Sequence, residues 1–299
     1  MSPTLVARIS LNSFAGAAVA ALSAAFVPAH TGATELGEME ARRLFGSVDL
    51  PAEELSLGAV GGYSWGCLAG AVPLPPDGPY HQAMRLSRNR NWGHPELVAY
   101  LEDLSKKVHE RSGWPGILVG DLAQPRGGPM LSGHASHQIG LDADIWLMPP
   151  PNSRYSTQER EEISAVSVLL PGKREVSSAV WKHDHSVLIK AAAEDERVAR
   201  VFVNPAIKRA LCDGEDGDRE WLRKIRAWYG HDAHIHVRLH CPDSDSECRN
   251  QIPPPPGDGC GTELDWWFTE APYKRAPAKP KPLRLSDLPL ACRTIFEAY

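Results

Sequence analysis

A chain of 299 residues, 42% hydrophobic and 23% charged, has the composition of an ordinary globular protein, enough for one large domain or two small ones. Its net charge of -5, without a basic stripe, excludes the electrostatic footprint of a nucleic-acid binder. No segment after the amino-terminal one is long and apolar enough to span a bilayer.

Residues 1–30 read as an export signal. Arg8 supplies a positive start, residues 14–27 are small or apolar without charge, and Val27-Pro28-Ala29 and Thr31-Gly32-Ala33 both offer the small residues a signal peptidase needs. The apolar run is short for a spanning helix, so cleavage is expected rather than a stable membrane anchor. In an exported chain the even count of cysteines (Cys67, Cys212, Cys241, Cys248, Cys260, Cys292) favours three disulfides, since no Cys-x-x-Cys spacing suggests thiolate metal ligands. The count alone leaves their pairing open.

Residues 34–94 are rich in glycine and proline and predict loops with brief elements. His94-Pro95 opens a helix with Leu97, Val98, Leu101, Leu104 and Val108 on one stripe, stopped by Gly113. Residues 117–119 predict a short buried strand, and 124–133 a loop. Residues 141–147 alternate: Leu141, Ala143, Ile145 and Leu147 share one face, Asp142, Asp144 and Trp146 the other, which means a strand. Beyond the break at Pro149-Pro150-Pro151 come a helix over 185–193, a strand over 198–203, and helices over 205–211 and 218–228. Residues 233–239 alternate again, with His234, His236, Arg238 and His240 opposite Ile235, Val237 and Leu239. From Pro253 the tail is proline-rich and reads as extended. The expected fold class is α+β, an antiparallel sheet flanked by helices and long loops. The expected organisation is a signal over 1–30, a domain over 31–270, and a tail over 271–299 tied down by Cys292.

Eight of the twelve histidines fall in three short segments: His134 and His137; His183 and His185; His231, His234, His236 and His240. His234 and His236 are two apart on a strand and so share a face. His134 and His137 sit between Gly133 and Gly140, just before the strand that carries Asp144. Two histidines and a carboxylate give zinc three ligands and leave a fourth position for water, the layout of a catalytic site. A nearby imidazole can take the proton of that water. The competing reading is that each histidine is satisfied by an ordinary hydrogen bond. His-Glu-x-x-His is absent, so the zincin architecture is not supported. Gly62-Tyr63-Ser64-Trp65-Gly66 matches a nucleophile elbow, but that motif needs a strand before it and a helix after it, and the glycine-rich residues before it make a poor strand. Arg85, Arg88 and Arg90 are weaker candidates for an oxyanion or a substrate carboxylate.

At these residues a resemblance appears. His137 to Asp144 fits His-x6-Asp with Gly140 in place, and His234-Ile235-His236 fits His-x-His. Together they resemble the zinc peptidase fold shared by lysostaphin-type enzymes, D-alanyl-D-alanine dipeptidases and the hedgehog amino-terminal domain. Ser64-Trp65-Gly66-Cys67-Leu68-Ala69-Gly70, the segment 84–94, the segment 133–146, Phe202-Val203-Asn204-Pro205-Ala206-Ile207-Lys208 and the segment 231–242 look like the penicillin-insensitive murein endopeptidases, from about residue 57 to the tail. The resemblance implies that His137, Asp144 and His236 hold Zn2+, that His234 sits by the metal as base or electrophile, and that His231 lies nearby. It also implies a second metal position at His134 and His185. There Lys182 stands where the family has a carboxylate, so His134 is either a second-metal ligand or a hydrogen-bond partner of the site. The implied disulfides are Cys67–Cys292, Cys212–Cys260 and Cys241–Cys248. The implied activity is periplasmic hydrolysis of D-alanyl–meso-diaminopimelyl cross-links in peptidoglycan. A zinc D,D-carboxypeptidase or dipeptidase and a non-catalytic zinc-containing murein-binding module are the alternatives. Peptidoglycan is the expected partner, with a homodimer as an open option and no nucleic acid.

Overall fold

Residues 141–147 and 233–239, the two alternating segments, form the middle of a six-stranded sheet in the computed structural model, which describes residues 35–52, 55, 58–274 and 281–298. The segment read as an export signal lies outside the described residues. In chain order the elements are α1 (Ala41–Phe45), β1 (Ala59–Gly62), β2 (Trp65–Leu68), β3 (Val72–Pro73), β4 (His81–Ala83), β5 (Trp92–Gly93) and α2 (Pro95–Arg111). There follow β6 (Ile117–Val119), β7 (Asp142–Trp146), α3 (Thr157–Glu162), α4 (His183–Glu194), β8 (Val198–Val203) and α5 (Pro205–Gly214). The last are β9 (Ile225–Ala227), β10 (His234–Leu239), α6 (Thr262–Asp265) and α7 (Leu290–Glu297).

The sheet order is β4-β6-β7-β10-β8-β9. Its four central strands pair antiparallel, which sets His236 opposite Asp144 on one side and opposite Phe202 on the other. Both outer pairs, β4 with β6 and β8 with β9, are parallel, so the α+β sheet is mixed at its edges and antiparallel where the histidines sit.

One face of the sheet is the main core. Ala143, Ile145, Ile235, Val237 and Leu239 pack there with Leu97, Leu101 and Leu104 of α2 and Leu188 and Ile189 of α4. The stripe on α2 follows from its 3.6-residue period. The helix starts where it does because Pro95 suits its first position and the His94 ring accepts the Glu96 N–H. The other face of β7 and β10 carries Asp142, Asp144, His236 and Arg238, and these are buried too.

Two expectations need correction. Residues 218–228 are not one helix. Glu220–Lys224 is a 3-10 turn, after which Ile225 enters β9, because Trp221, Leu222 and Ile225 all bury their side chains in the main core. The tail is not simply extended. It forms α6, the 3-10 turns Trp266–Phe268 and Ala271–Tyr273, and α7. Its Leu285, Leu288, Cys292 and Ile295 join Phe45, Val60 and Cys67 in a second, smaller core.

The disulfides are Cys67–Cys292, Cys212–Cys260 and Cys241–Cys248, and no cysteine is free. The elbow motif lies in the β1–β2 hairpin, where Gly61 has φ +81 and an added Cβ would meet the Trp65 carbonyl at 2.3 Å. A strand rather than a helix follows Ser64, so its hydroxyl is not presented as a nucleophile. Among the described residues no helix is long and apolar enough to cross a membrane.

Candidate metal centre

Asp144 sits at the middle of the polar sheet face, ringed by imidazoles. Its Oδ1 is 3.5 Å from His137 Nε2 and 3.6 Å from His236 Nδ1. Its Oδ2 is 3.5 Å from His134 Nδ1 and 3.7 Å from His234 Nε2. The strand register explains His234 and His236: β10 runs beside β7 and alternation points both rings to this face. The loop before β7 supplies the other two. It turns at Gly140, φ +69, where an added Cβ would meet the Leu68 side chain at 2.3 Å, so only glycine fits. His137 itself has φ +70, a left-handed backbone unusual for a residue with a Cβ, and His231 has φ +54. Such strain persists only where the surroundings hold it. At His137 the holder is Asp142, whose Oδ2 accepts the His137 backbone N–H at 3.0 Å.

Asp142 is in turn gripped by Arg238, Nε to Oδ1 at 2.7 Å and Nη2 to Oδ2 at 2.8 Å, and its Oδ1 lies 3.3 Å from His236 Nε2. Burial resists its charge, but the guanidinium wins and holds the carboxyl well below the usual range. Removing one partner of such a buried pair typically costs about 3–5 kcal/mol. His236, by contrast, is pushed down to about 4, chiefly by burial, and stays neutral as a metal ligand must.

The fit to a cation rests on polar atoms left over. His137 Nδ1 and Nε2 and Asp144 Oδ1 are buried without a hydrogen-bond partner, as is His236 Nε2, which faces Asp142 rather than Asp144. Each such orphan costs roughly 1–3 kcal/mol, and the cost here falls on three adjacent residues. A carboxylate surrounded by imidazole lone pairs is the donor set of a divalent transition metal. Burial opposes charge on His137, but Asp144 overrides it and raises the imidazole, while the same pairing overrides burial to hold Asp144 far below the usual carboxylate range. Among the described residues, His134, His137 and Asp144 form a donor triple whose ligand atoms lie within 4.8 Å of one another.

His134 has a second partner, Asp121, whose Oδ2 is 3.0 Å from His134 Nε2. Arg88 and Arg90 also bind Asp121, at 3.1 and 3.0 Å. Against the opposing effect of burial, the His134 hydrogen bond and the two arginines lower this carboxyl to about 2. Arg85 instead donates to the Ile163 carbonyl and to Ser164. All three arginines are thus engaged with protein groups. On the open side, the His234 side chain is 32% exposed. The His231 ring lies 5.1 Å from that of His234, and its Nδ1 donates to the Tyr229 carbonyl. Burial lowers the His231 pKa.

His185 does not join the centre. Its Nδ1 accepts the Lys182 backbone N–H, its Nε2 donates to the Leu147 carbonyl, and its ring packs against Trp114 and Trp181. Both of its nitrogens are engaged by backbone groups. Asp121, Asp142 and Arg238 were not read from the sequence as site residues. Asp142 and Arg238 carry a signal in hindsight, since each lies two residues from a donor on the same strand face. Asp121 carries none.

Imidazoles and a buried carboxylate on paired strands, with one imidazole half-open to solvent, define a metallopeptidase centre. The chain belongs to the penicillin-insensitive murein endopeptidase family, whose profile matches residues 59–297. Proteins named penicillin-insensitive murein endopeptidase are similar to it. That of Haemophilus influenzae is 45% identical over 249 residues, 83% of this chain and 86% of its own. That of Klebsiella pneumoniae is 43% identical over 242 residues and that of Yersinia pestis 43% over 241, each covering 81% of this chain and 86% of the relative.

Proposed function

We propose that this chain is a zinc-dependent periplasmic endopeptidase that hydrolyses D-alanyl–meso-diaminopimelyl cross-links in peptidoglycan and is indifferent to penicillin. The observation that carries the metal assignment is the pair of buried, partnerless donors His137 and Asp144, with His236 Nδ1 3.6 Å from Asp144 Oδ1. These three would hold Zn2+, with His134 fixed beside them by Asp121. When bound, zinc lowers the pKa of water and polarises the scissile carbonyl. His234, on the open side, accepts the proton of the attacking water and passes it to the leaving amine. His231, its Nδ1–H anchored on the Tyr229 carbonyl, lies with its ring 5.1 Å from that of His234 and packs beside the base. Asp142 and Arg238 fix the His236 ring and the loop of His137, so the centre is organised before substrate arrives. The names of the relatives support murein as substrate. Three disulfides fit an oxidising compartment. Indifference to penicillin fits Ser64, which lies in a hairpin rather than at a strand-to-helix elbow.

The test is muropeptide analysis of purified murein after incubation with the protein. Cross-linked dimers should become monomers, the reaction should stop with a chelator, and added zinc should restore it. Release of free D-alanine without loss of dimers would establish the carboxypeptidase instead, and binding without any cleavage the non-catalytic module.

A further inference from the structure

A row of side chains crosses the sheet from the metal centre to an open cleft. In register, Asp144 of β7 pairs with His236 of β10, His236 with Phe202 of β8, and Phe202 with Arg226 of β9. Paired residues point to the same face, so the surface that carries the imidazoles continues outward over β8 and β9. Phe202 packs on His236 at 5.3 Å between ring centroids and on Trp228 at 6.2 Å. Beyond Phe202 lies a cleft of about 400 Å³ lined by Arg200, Phe202, Arg226, Trp228, Trp266 and Trp267.

This cleft gathers aromatic surface that folding leaves uncovered. Trp228 is 51% exposed and Trp266 46%, and the half-exposed Tyr229 and Tyr273 adjoin them. Trp267 links the group, with its ring 6.3 Å from Trp228, 5.0 Å from Tyr229 and 5.1 Å from Trp266. A contiguous exposed patch of this kind marks a binding surface rather than an incompletely packed core. It is also rigidly mounted. The Cys212–Cys260 disulfide, the Arg226–Glu263 ion pair, and Lys208, whose Nζ donates to the Leu222 and Asp258 carbonyls at 2.7 and 2.6 Å, pin the segment carrying Trp266 and Trp267 to the body.

Aromatic faces set beside both donors and an acceptor match one ligand chemistry. A pyranose ring offers an apolar C–H face for stacking and hydroxyl and acetamido groups at its rim that donate and accept. The Arg226–Glu263 ion pair and the Arg200 guanidinium, which also holds Gln251 and the Ile252 carbonyl, set a polar rim at the cleft wall whose remaining N–H groups and carboxylate lone pairs face a ligand's rim. Neighbouring strands lie about 4.8 Å apart, so Arg226 is roughly 10 Å from His236, a span covered by three or four extended peptide residues. Resting on the murein reading above, we propose that this cleft binds an N-acetylated amino sugar of the glycan strand whose short peptide lies across the metal centre.

The test measures binding and cleavage separately. The zinc-loaded protein is titrated with an uncross-linked disaccharide–peptide and with the same peptide stripped of sugar. The sugar should tighten binding by roughly threefold to tenfold, the value of one aromatic stacking contact. Trp266→Ala should abolish that advantage and Trp266→Phe restore most of it, with metal content unchanged. On cross-linked dimers, Trp266→Ala should raise KM only for the sugar-bearing form and leave kcat and the sugar-free form unaltered. Equal affinity of the wild type for both ligands, or equal losses on both in Trp266→Ala, would overturn the subsite. If the wild type cuts neither dimer, the endopeptidase reading fails, while the binding preference still decides the cleft.

Discussion

His137 and His185 are both buried histidines close to β7, yet the structure treats them in opposite ways. At the start of α4, His185 has both nitrogens engaged by backbone groups, and two tryptophans pack its faces. At the centre, His137 has no hydrogen-bond partner for either nitrogen, its backbone is left-handed, and its neighbours Asp144 and His236 also carry orphan atoms. Burial shifts both rings toward neutrality, and at His185 it prevails, whereas at His137 the Asp144 charge reverses it. A buried imidazole is therefore not in itself a sign of chemistry. The sign is a set of adjacent donors whose desolvation the protein alone leaves uncompensated.

The sharpest way to break this contrast is to remove the donors. His137→Ala and His236→Ala should lose bound metal and essentially all cleavage, since each deletes one of the three proposed ligands. His234→Ala should keep the metal yet lose about 10²–10⁴-fold in turnover. Elemental analysis with cross-link cleavage decides, and metal kept by His236→Ala but lost by His234→Ala would reverse the two roles. A middle-sized effect is expected at Asp121, which touches His134 and two arginines. Asp121→Asn should weaken metal affinity about tenfold to hundredfold by freeing the His134 ring. Competition with a chelator of known affinity measures it, and an unchanged affinity would remove His134 from the working centre.

The smallest effect on activity is expected at the other histidine. His185→Ala should leave metal content and turnover intact while lowering stability by about 2–3 kcal/mol, through the lost cap and the space left between Trp114 and Trp181. The pH dependence sharpens the point. Because the native pKa of His185 is lowered, below about 6.5 the unfolded chain binds a proton that the native ring refuses, and stability falls as pH drops. His185→Ala lacks that component, so its denaturation midpoint should decline less steeply than that of the wild type between about pH 7 and 5. A parallel decline in both would mean that His185 is already solvated in the native state.

Much of the centre was legible because strands write their faces in steps of two. Asp144, His234 and His236 could be placed on polar faces from alternation alone, and α2 from its stripe. The partners of those residues were not legible by the same means. Asp121 reaches His134 across 13 residues and Arg88 across 33, with no local period connecting them. The parallel edge strands β4 and β9 have three residues each, too few to alternate recognisably. Proline masked the helical turns of the tail, whose order depends on contacts with Phe45, Val60 and Cys67 far earlier in the chain. The backbone partners of His185 were not legible either, because composition records an imidazole but not what its nitrogens touch.

The three disulfides have a property of their own when drawn as closed loops. Cys241–Cys248 lies wholly inside the loop closed by Cys212–Cys260, which lies wholly inside the loop closed by Cys67–Cys292. Nested loops never cross. No bond has to be made before another for the chain to pass, and none traps a strand by forming early. The outermost bond joins β2 to α7 across 225 residues, so it needs the whole stretch between 67 and 292, whereas the inner two need only the stretch between 212 and 260. The short bonds beside the strand of His234 and His236 can therefore close first, and the bond that joins β2 to α7 last.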